Sequence, residues 1–407
     1  MKRRTFLQQI ALFTGGLMIP VGANGWVSQS FGKTLSSKKL IVVFLRGGVD
    51  GLSVIVPHQE DEYYDYRPSI ALAEPNEKNG VLDLDGYFGL HPALKDLMPL
   101  WKKKELTFIH GCGLTTNTRS HFQAQFYMEN GNPGDTKMME GWMNRFLGIL
   151  SAQNPTQAVN VGLTTPHILN GSIPIANLPR GKDSIQQQQI DRSGISQFFD
   201  QLYSGDDDLS LAYQQGRKAR EIFMKELEKD MMEASKNAPS SSQFVQEAKQ
   251  MATLMKGKAN TQLGFIDLGQ WDTHVNQSTR LNQLLKPLGE GLATLVKELG
   301  DTYNDTTIVV MSEFGRTVKE NGNKGTDHGR GNPMWIIGKN VKGGQFYGEW
   351  ATLEENQLFE GRDVGVTTDF REPISNILKT FNLSDQLISQ VFPNFIPQNN
   401  LNFLSST

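Results

Sequence analysis

Four of the chain's seven histidines, His110, His121, His274 and His328, fall in or just beyond glycine- and acid-rich turns that directly follow short apolar runs. In an open α/β sheet such turns lie outside the carboxyl ends of the strands, where ligands bind. The segment LGFIDLGQWDTH (263–274) carries Asp267, Asp272 and His274, and the last two are close enough in the chain to grip one ion from a loop. The run TTIVVMSEFGRT (306–317) places Glu313 at a strand end, followed by Arg316. A dozen residues on, Asp327 and His328 sit in a turn whose Gly329 and Gly331 aim His328 back toward Glu313. Oxygen and imidazole donors with no thiolate nearby suit one or two divalent ions such as zinc, manganese, calcium or magnesium.

Two further motifs are less specific. In Arg46-Gly47-Gly48-Val49-Asp50-Gly51 the paired glycines let the backbone turn sharply and leave Asp50 free over a sheet edge, although a plain turn uses the same residues. In Thr115 to His121 (TTNTRSH), Thr118 and Ser120 each read as a helix N-cap or as a hydroxyl nucleophile, because a helix N-terminus and a nearby cation both favour an alkoxide. His121 reads as a core histidine or as one standing behind a metal ligand.

Six nearly continuous apolar runs must position these residues: Leu40 to Leu45, Leu106 to Ile109, Ala158 to Leu163, Leu263 to Leu268, Thr307 to Met311 and Met334 to Ile337. Runs of this kind suit strands buried on both faces. Helix-like stretches intervene at His91 to Lys103, Ser120 to Asn130, Gly141 to Leu150 and Leu281 to Leu299. The alternation predicts a single α/β domain over residues 38–400, doubly wound around a mostly parallel central sheet. Residues 193–258 lack a strand candidate and read as a helical insertion or cap, or as two long crossover helices.

Lys2, Arg3 and Arg4, followed by a weakly apolar stretch to about Val21, read as a twin-arginine export signal over residues 1–23, too short and too polar for a stable membrane span. Removing those three cations would take the formal net charge from −3 to −6. A mildly acidic protein of this kind, periplasmic or secreted, has no electrostatic footprint for nucleic acid. Cys112 is the only cysteine, so no disulfide within the chain is available.

FLRGGVDGL, SHFQAQ, GWMNR, GQWDTH, SEFGRT and GTDHG, in this order, resemble the signature of the domain-of-unknown-function 1501 family of exported bacterial proteins. That family is similar to the alkaline phosphatase and sulfatase superfamily, so the resemblance implies an alkaline-phosphatase-like fold and a metal site at the strand ends. It implies a metal role for Asp50, Asp272, His274 and His328, with Asp267 a further candidate. Glu313-Phe314 falls where the superfamily has an Asp-His ligand pair, so Glu313 can serve as a metal ligand, as can Asp327 beside His328, whereas Phe314 cannot. The implied activity is hydrolysis of a phosphate or sulfate ester with Ser120 or Thr118 as nucleophile, while Arg46 or Arg316 neutralises an anionic ester. The alternative is a catalytically degenerate protein that binds a small ligand or a secreted partner.

Overall fold

The computed structural model describes residues 37–150, 154–162, 164–180, 193–219, 222, 243–257, 259–398 and 400–405. Residues 1–23, read above as an export signal, lie outside them. The strands are β1 (Lys39–Leu45), β2 (Ile55–Pro57), β3 (Leu82–Asp83), β4 (Phe88–Leu90), β5 (Leu106–Gly113), β6 (Ala158–Val161), β7 (Ala176–Leu178), β8 (Leu263–Leu268), β9 (Thr306–Ser312), β10 (Asn332–Gly338), β11 (Phe346–Tyr347) and β12 (Thr368–Asp369).

Successive strand side chains point to opposite faces. In β1, Leu40, Val42 and Phe44 join one buried cluster, and Ile41, Val43 and Leu45 join another. A run that is apolar at every position therefore requires cover on both sides, and helices provide it. On the first face lie the helices His121–Asn130, Trp142–Ile149, Arg371–Lys379 and Asp385–Val391, through Ala124, Trp142, Phe146, Ile374 and Ile388. On the second lie Gln243–Lys256 and Gln277–Leu299, through Phe244, Met251, Leu281, Leu285, Leu292 and Leu299. This is the expected doubly wound α/β architecture.

The large sheet runs β11-β5-β10-β9-β1-β8-β6-β7, with β12 also on β5, and β2, β4 and β3 form a small antiparallel sheet. Pairing in the large sheet is parallel except at β10, which opposes both β9 and β5. The chain from Glu313 to Gly331 returns without a crossover helix, and a return of that kind sets a strand antiparallel to its predecessor. The start of β10 therefore lies at the same sheet edge as the end of β9.

The stretch His91 to Lys103, expected as one helix, is a 3-10 turn over Pro92–Leu97 followed by a short helix, Met98–Lys102. Pro92 and Pro99 each lack the amide hydrogen that a continuous ladder would use. Within 193–258 the described helices are Ser193–Leu202, 208–219 and Gln243–Lys256, and the last is part of the cover over the sheet. No helix among the described residues is long and apolar enough to cross a membrane.

Candidate metal centre

β5, β9 and β8 lie near the middle of the sheet, with β10 and β1 between them, so the segments leaving their carboxyl ends meet above one stretch of its edge. From β5 comes the helix His121–Asn130, from β8 the loop bearing Asp272 and His274, and from β9 the excursion that ends at His328. The turn after β1 closes the floor. Gly47 there has φ of 125°, and a Cβ on it would lie 2.5 Å from the backbone nitrogen of Asp272, so only glycine lets this turn press against the ligand loop.

Three imidazoles and one carboxylate converge. His328 Nε2 lies 3.0 Å from the Nε2 atoms of both His121 and His274. Asp272 Oδ1 lies 2.9 Å from His274 Nε2 and 3.4 Å from His328 Nε2, and Asp272 Oδ2 lies 3.5 Å from His121 Nε2. Donors about 2.0–2.1 Å from a zinc ion at tetrahedral angles stand roughly 3.3 Å apart, which is the spacing found. His121, Asp272 and His328 each offer an atom within 4.8 Å of the others, and His274 joins them through its contacts with Asp272 and His328.

The other ring nitrogen of each histidine is already engaged. His121 Nδ1 meets Glu313 Oε1 at 2.8 Å, His274 Nδ1 meets Asp327 Oδ1 at 2.9 Å, and His328 Nδ1 meets the carbonyl oxygen of Arg119 at 2.8 Å. A carbonyl or an ionised carboxylate can only accept, so each Nδ1 carries the hydrogen. All three Nε2 positions then face a common point, the arrangement in which a carboxylate or carbonyl behind each histidine fixes its tautomer for metal binding.

Charge points the same way. Burial opposes the charged form of Asp272, but the hydrogen bond and charge of Arg316 outweigh it and hold its pKa below the usual carboxylate range. Burial likewise opposes ionisation of Glu313, and hydrogen bonds from His121, Gln125 and the Gly47 amide prevail. Asp327 is also depressed: burial opposes its charge, and its bonds from His274 and Asn321 win. The bond to Glu313 raises His121, and burial, followed by the charges of His121 and Arg316, lowers His328. Three ionised carboxylates around one guanidinium leave two negative charges, which two imidazolium protons or one divalent cation would neutralise.

Of the residues singled out in the sequence, Asp272, His274 and His328 meet at this point. Glu313 and Asp327 stand one layer behind, holding histidines. Glu313 is fully buried, and its oxygens receive Gly47 N, Gln125 Nε2, His121 Nδ1 and Ser312 Oγ, which leaves it no face for an ion. Asp50 is not in the cluster. Its oxygens accept from Arg67 Nη1 and Nη2 at 2.6 and 2.9 Å, from Ser53 Oγ at 2.6 Å and from Gln277 Nε2 at 2.6 Å, so a buried guanidinium stands where a cation was expected. Asp267 is likewise paired, with Arg46 at 2.7 Å and Arg180 at 2.5 Å.

Neither candidate anion-binding arginine is free. Arg316 is fully buried and donates to the carbonyls of Gly47, Gly48, Trp271 and Thr326 and to Asp272. Arg46 bridges Asp267, Gln125 and Glu129. Thr118 Oγ1 donates to Gln123 Oε1 at 2.6 Å, whereas Ser120, exposed at the N-cap of the helix His121–Asn130, makes no capping bond. His121 itself was not among the expected ligands. A signal was present: His121, Gln125 and Glu129 recur every four residues and so share one helix face.

A sequence profile described as "Protein of unknown function (DUF1501)" matches residues 37–385. No curated protein matches the chain. Among solved structures, the C-terminal periplasmic domain of EcEptC from Escherichia coli in complex with zinc is similar at 11% identity, with 79% of this chain and 77% of that one covered and a TM-score of 0.39. A protein in the alkaline phosphatase superfamily from Vibrio parahaemolyticus gives 12%, 85%, 71% and 0.32 for the same measures. A TAB5 alkaline phosphatase mutant with magnesium bound gives 12%, 86%, 100% and 0.35. Scores this low carry no inference about chemistry, which has to come from the site itself.

Proposed function

With the chain belonging to the DUF1501 family as premise, we propose that it is an exported, metal-dependent hydrolase of phosphate or sulfate esters with one divalent ion per chain. The observation that carries this is the convergence of three imidazole Nε2 atoms and a carboxylate, each imidazole oriented from behind. His121, Asp272, His274 and His328 would hold the ion. Three histidines and one carboxylate favour zinc over the harder calcium and magnesium. Among the described residues the other candidate carboxylates, Asp50, Asp267, Glu313 and Asp327, are each engaged by arginine or histidine, which supports one ion rather than two.

Bound there, the ion supplies Lewis-acid stabilisation of the negative charge that develops on the ester oxygens. The chain's own contribution is positional. Ser120 immediately precedes His121 at an exposed helix N-terminus, where amide hydrogens and the helix dipole favour negative charge on its oxygen. Thr118 is the less favourably placed of the two, since it lies two residues before the N-cap and its hydroxyl oxygen already accepts from the Ser120 amide. Phe314, buried and 4.8 Å from the His121 ring and 5.2 Å from the His328 ring, packs an apolar wall against two ligands and excludes water from that side.

The test is elemental analysis of protein purified without chelators, together with hydrolysis of aryl phosphates and sulfates. The expected result is about one zinc per chain and an activity that Ser120→Ala abolishes while metal stays bound. Metal-free protein with no thermal stabilisation by added divalent ions rejects the metal centre. Zinc-loaded protein that is inactive across a broad ester panel rejects the hydrolase and leaves ligand or partner binding as the role of the site.

A further inference from the structure

Beside the metal centre lies a group of arginines that the proposed chemistry does not use. Arg119, Arg330 and Arg362 surround Asp363 and Glu360. Arg119 Nη2 bonds both acids at 2.8 Å, and Arg362 Nη1 bonds Asp363 at 3.1 Å. Arg330 lies within the electrostatic reach of Arg119, Asp363 and Glu360. Three guanidiniums against two carboxylates leave one positive charge. The cluster is tied directly to a ligand: the Arg119 carbonyl accepts from His328 Nδ1, and Arg362 Nη2 donates to the His328 carbonyl at 2.9 Å.

Arg330 is held unlike its neighbours. Its guanidinium sits 4.1 Å over the ring of Phe359, and its one hydrogen bond among the described residues is a long one, 3.4 Å to the Leu114 carbonyl. An aromatic platform under the flat face of a guanidinium leaves the N–H edge available for a planar or tetrahedral oxyanion. Arg119 Nε is a buried donor with no acceptor among the described residues.

We propose that Arg330, with Arg119 and Arg362, forms a second anion subsite next to the metal centre, so that the substrate carries a further sulfate, phosphate or carboxylate group beyond the ester being cleaved. The inference deepens the hydrolase reading and rests on it for the word substrate, whereas the subsite itself is a binding property that can be measured without turnover. Arg46 and Arg316, engaged inside the fold, leave this recognition to Arg330.

The experiment compares methanesulfonate with propane disulfonate, neither of which strips zinc from a protein, by calorimetric titration of zinc-loaded protein with metal content measured in parallel. The disulfonate binds at least about tenfold more tightly than the monosulfonate, and Arg330→Ala removes about that factor, the loss of one charged hydrogen-bonding group, with metal content unchanged. Arg330→Lys recovers only part of the gain, because a point charge cannot offer two parallel donors. Equal affinity for the two probes, no binding of the disulfonate, or an Arg330→Ala variant that binds it as the wild type does overturns the subsite. If the chain binds no metal but Arg330→Ala still weakens disulfonate binding, the subsite stands and the hydrolase reading falls. If metal and ester hydrolysis are retained while Arg330→Ala leaves disulfonate binding unchanged, the subsite falls and the hydrolase reading stands.

Discussion

Glu313 touches no substrate and no ion in the proposed centre, yet it holds His121 by Nδ1 and is itself held by Gly47, Gln125 and Ser312. Glu313→Gln keeps the shape but removes the charge and lets the amide oxygen and nitrogen compete for His121. We expect metal affinity, measured by competition with a chromogenic chelator, to fall about 10- to 100-fold, while His328→Ala abolishes stoichiometric binding. If Glu313→Gln binds metal as tightly as the wild type, His121 is not oriented from behind. Asp50 makes a contrasting case: Arg67→Met strands a fully buried carboxylate and should lower the unfolding free energy by roughly 3–5 kcal/mol, read by denaturant titration. Asp272, His274 and His328 were legible in the sequence because acid and imidazole stand side by side in short loops. His121 was not, because its orientation depends on Glu313, 192 residues away. Asp50 was misleading for a related reason, since nothing in its own motif reveals that Arg67 turns toward it.

At the scale of elements, the turn after β1 and the excursion between β9 and β10 bring the ligand loops together. Gly47→Ala forces a Cβ to within 2.5 Å of the Asp272 nitrogen at a φ of 125°, so it should cost roughly 1–3 kcal/mol of stability and weaken metal binding as the ligand loop shifts. Gly322→Ala, in the same site's outer loop with open space around the glycine, is the matched control and should change neither. Equal effects from the two substitutions would mean that contact at Gly47 does not position Asp272. The six apolar runs announced their strands because burial on both faces leaves no polar position to blur the pattern. The direction of β10 was not legible: Met334 to Ile337 reads the same either way, and only its partners β9 and β5 fix it as antiparallel. Pro92 and Pro99 carried a signal for the break between Pro92–Leu97 and Met98–Lys102 that the expectation of one helix over His91 to Lys103 did not use.

The whole molecule should be acid-sensitive for a reason separate from metal release. Burial pushes His91 and His110 down to about 4, from an ordinary value of 6.5. Between those values the unfolded chain binds the protons and the folded chain does not. Stability is therefore full above about pH 6.5, falls as the pH drops toward 4 and levels off below it, by on the order of 3 kcal/mol for each histidine at most. His110 lies among the rings of Phe88, Phe346 and Trp350 at 4.8, 4.9 and 5.2 Å, so His110→Phe fits the same space. In metal-free protein that variant should show a shallower loss of denaturant resistance between pH 7 and 5 than the wild type, and an unchanged slope would show that His110 is not the titrating group. The sheet order also governs when the centre can come into being. β5, which leads to His121, reaches β9 and β8 only through β10, so the two halves of the coordination sphere are unconnected neighbours until residues 332–338 are laid between them. A growing chain that has emerged from the ribosome through His274 displays one isolated imidazole and one isolated acid-imidazole pair, each a weak chelator. In the proposed centre, full affinity would arrive in one step, when β10, made after the strands on either side of it, closes the seam, so that an ion would be captured by an assembled sheet rather than by its separate parts.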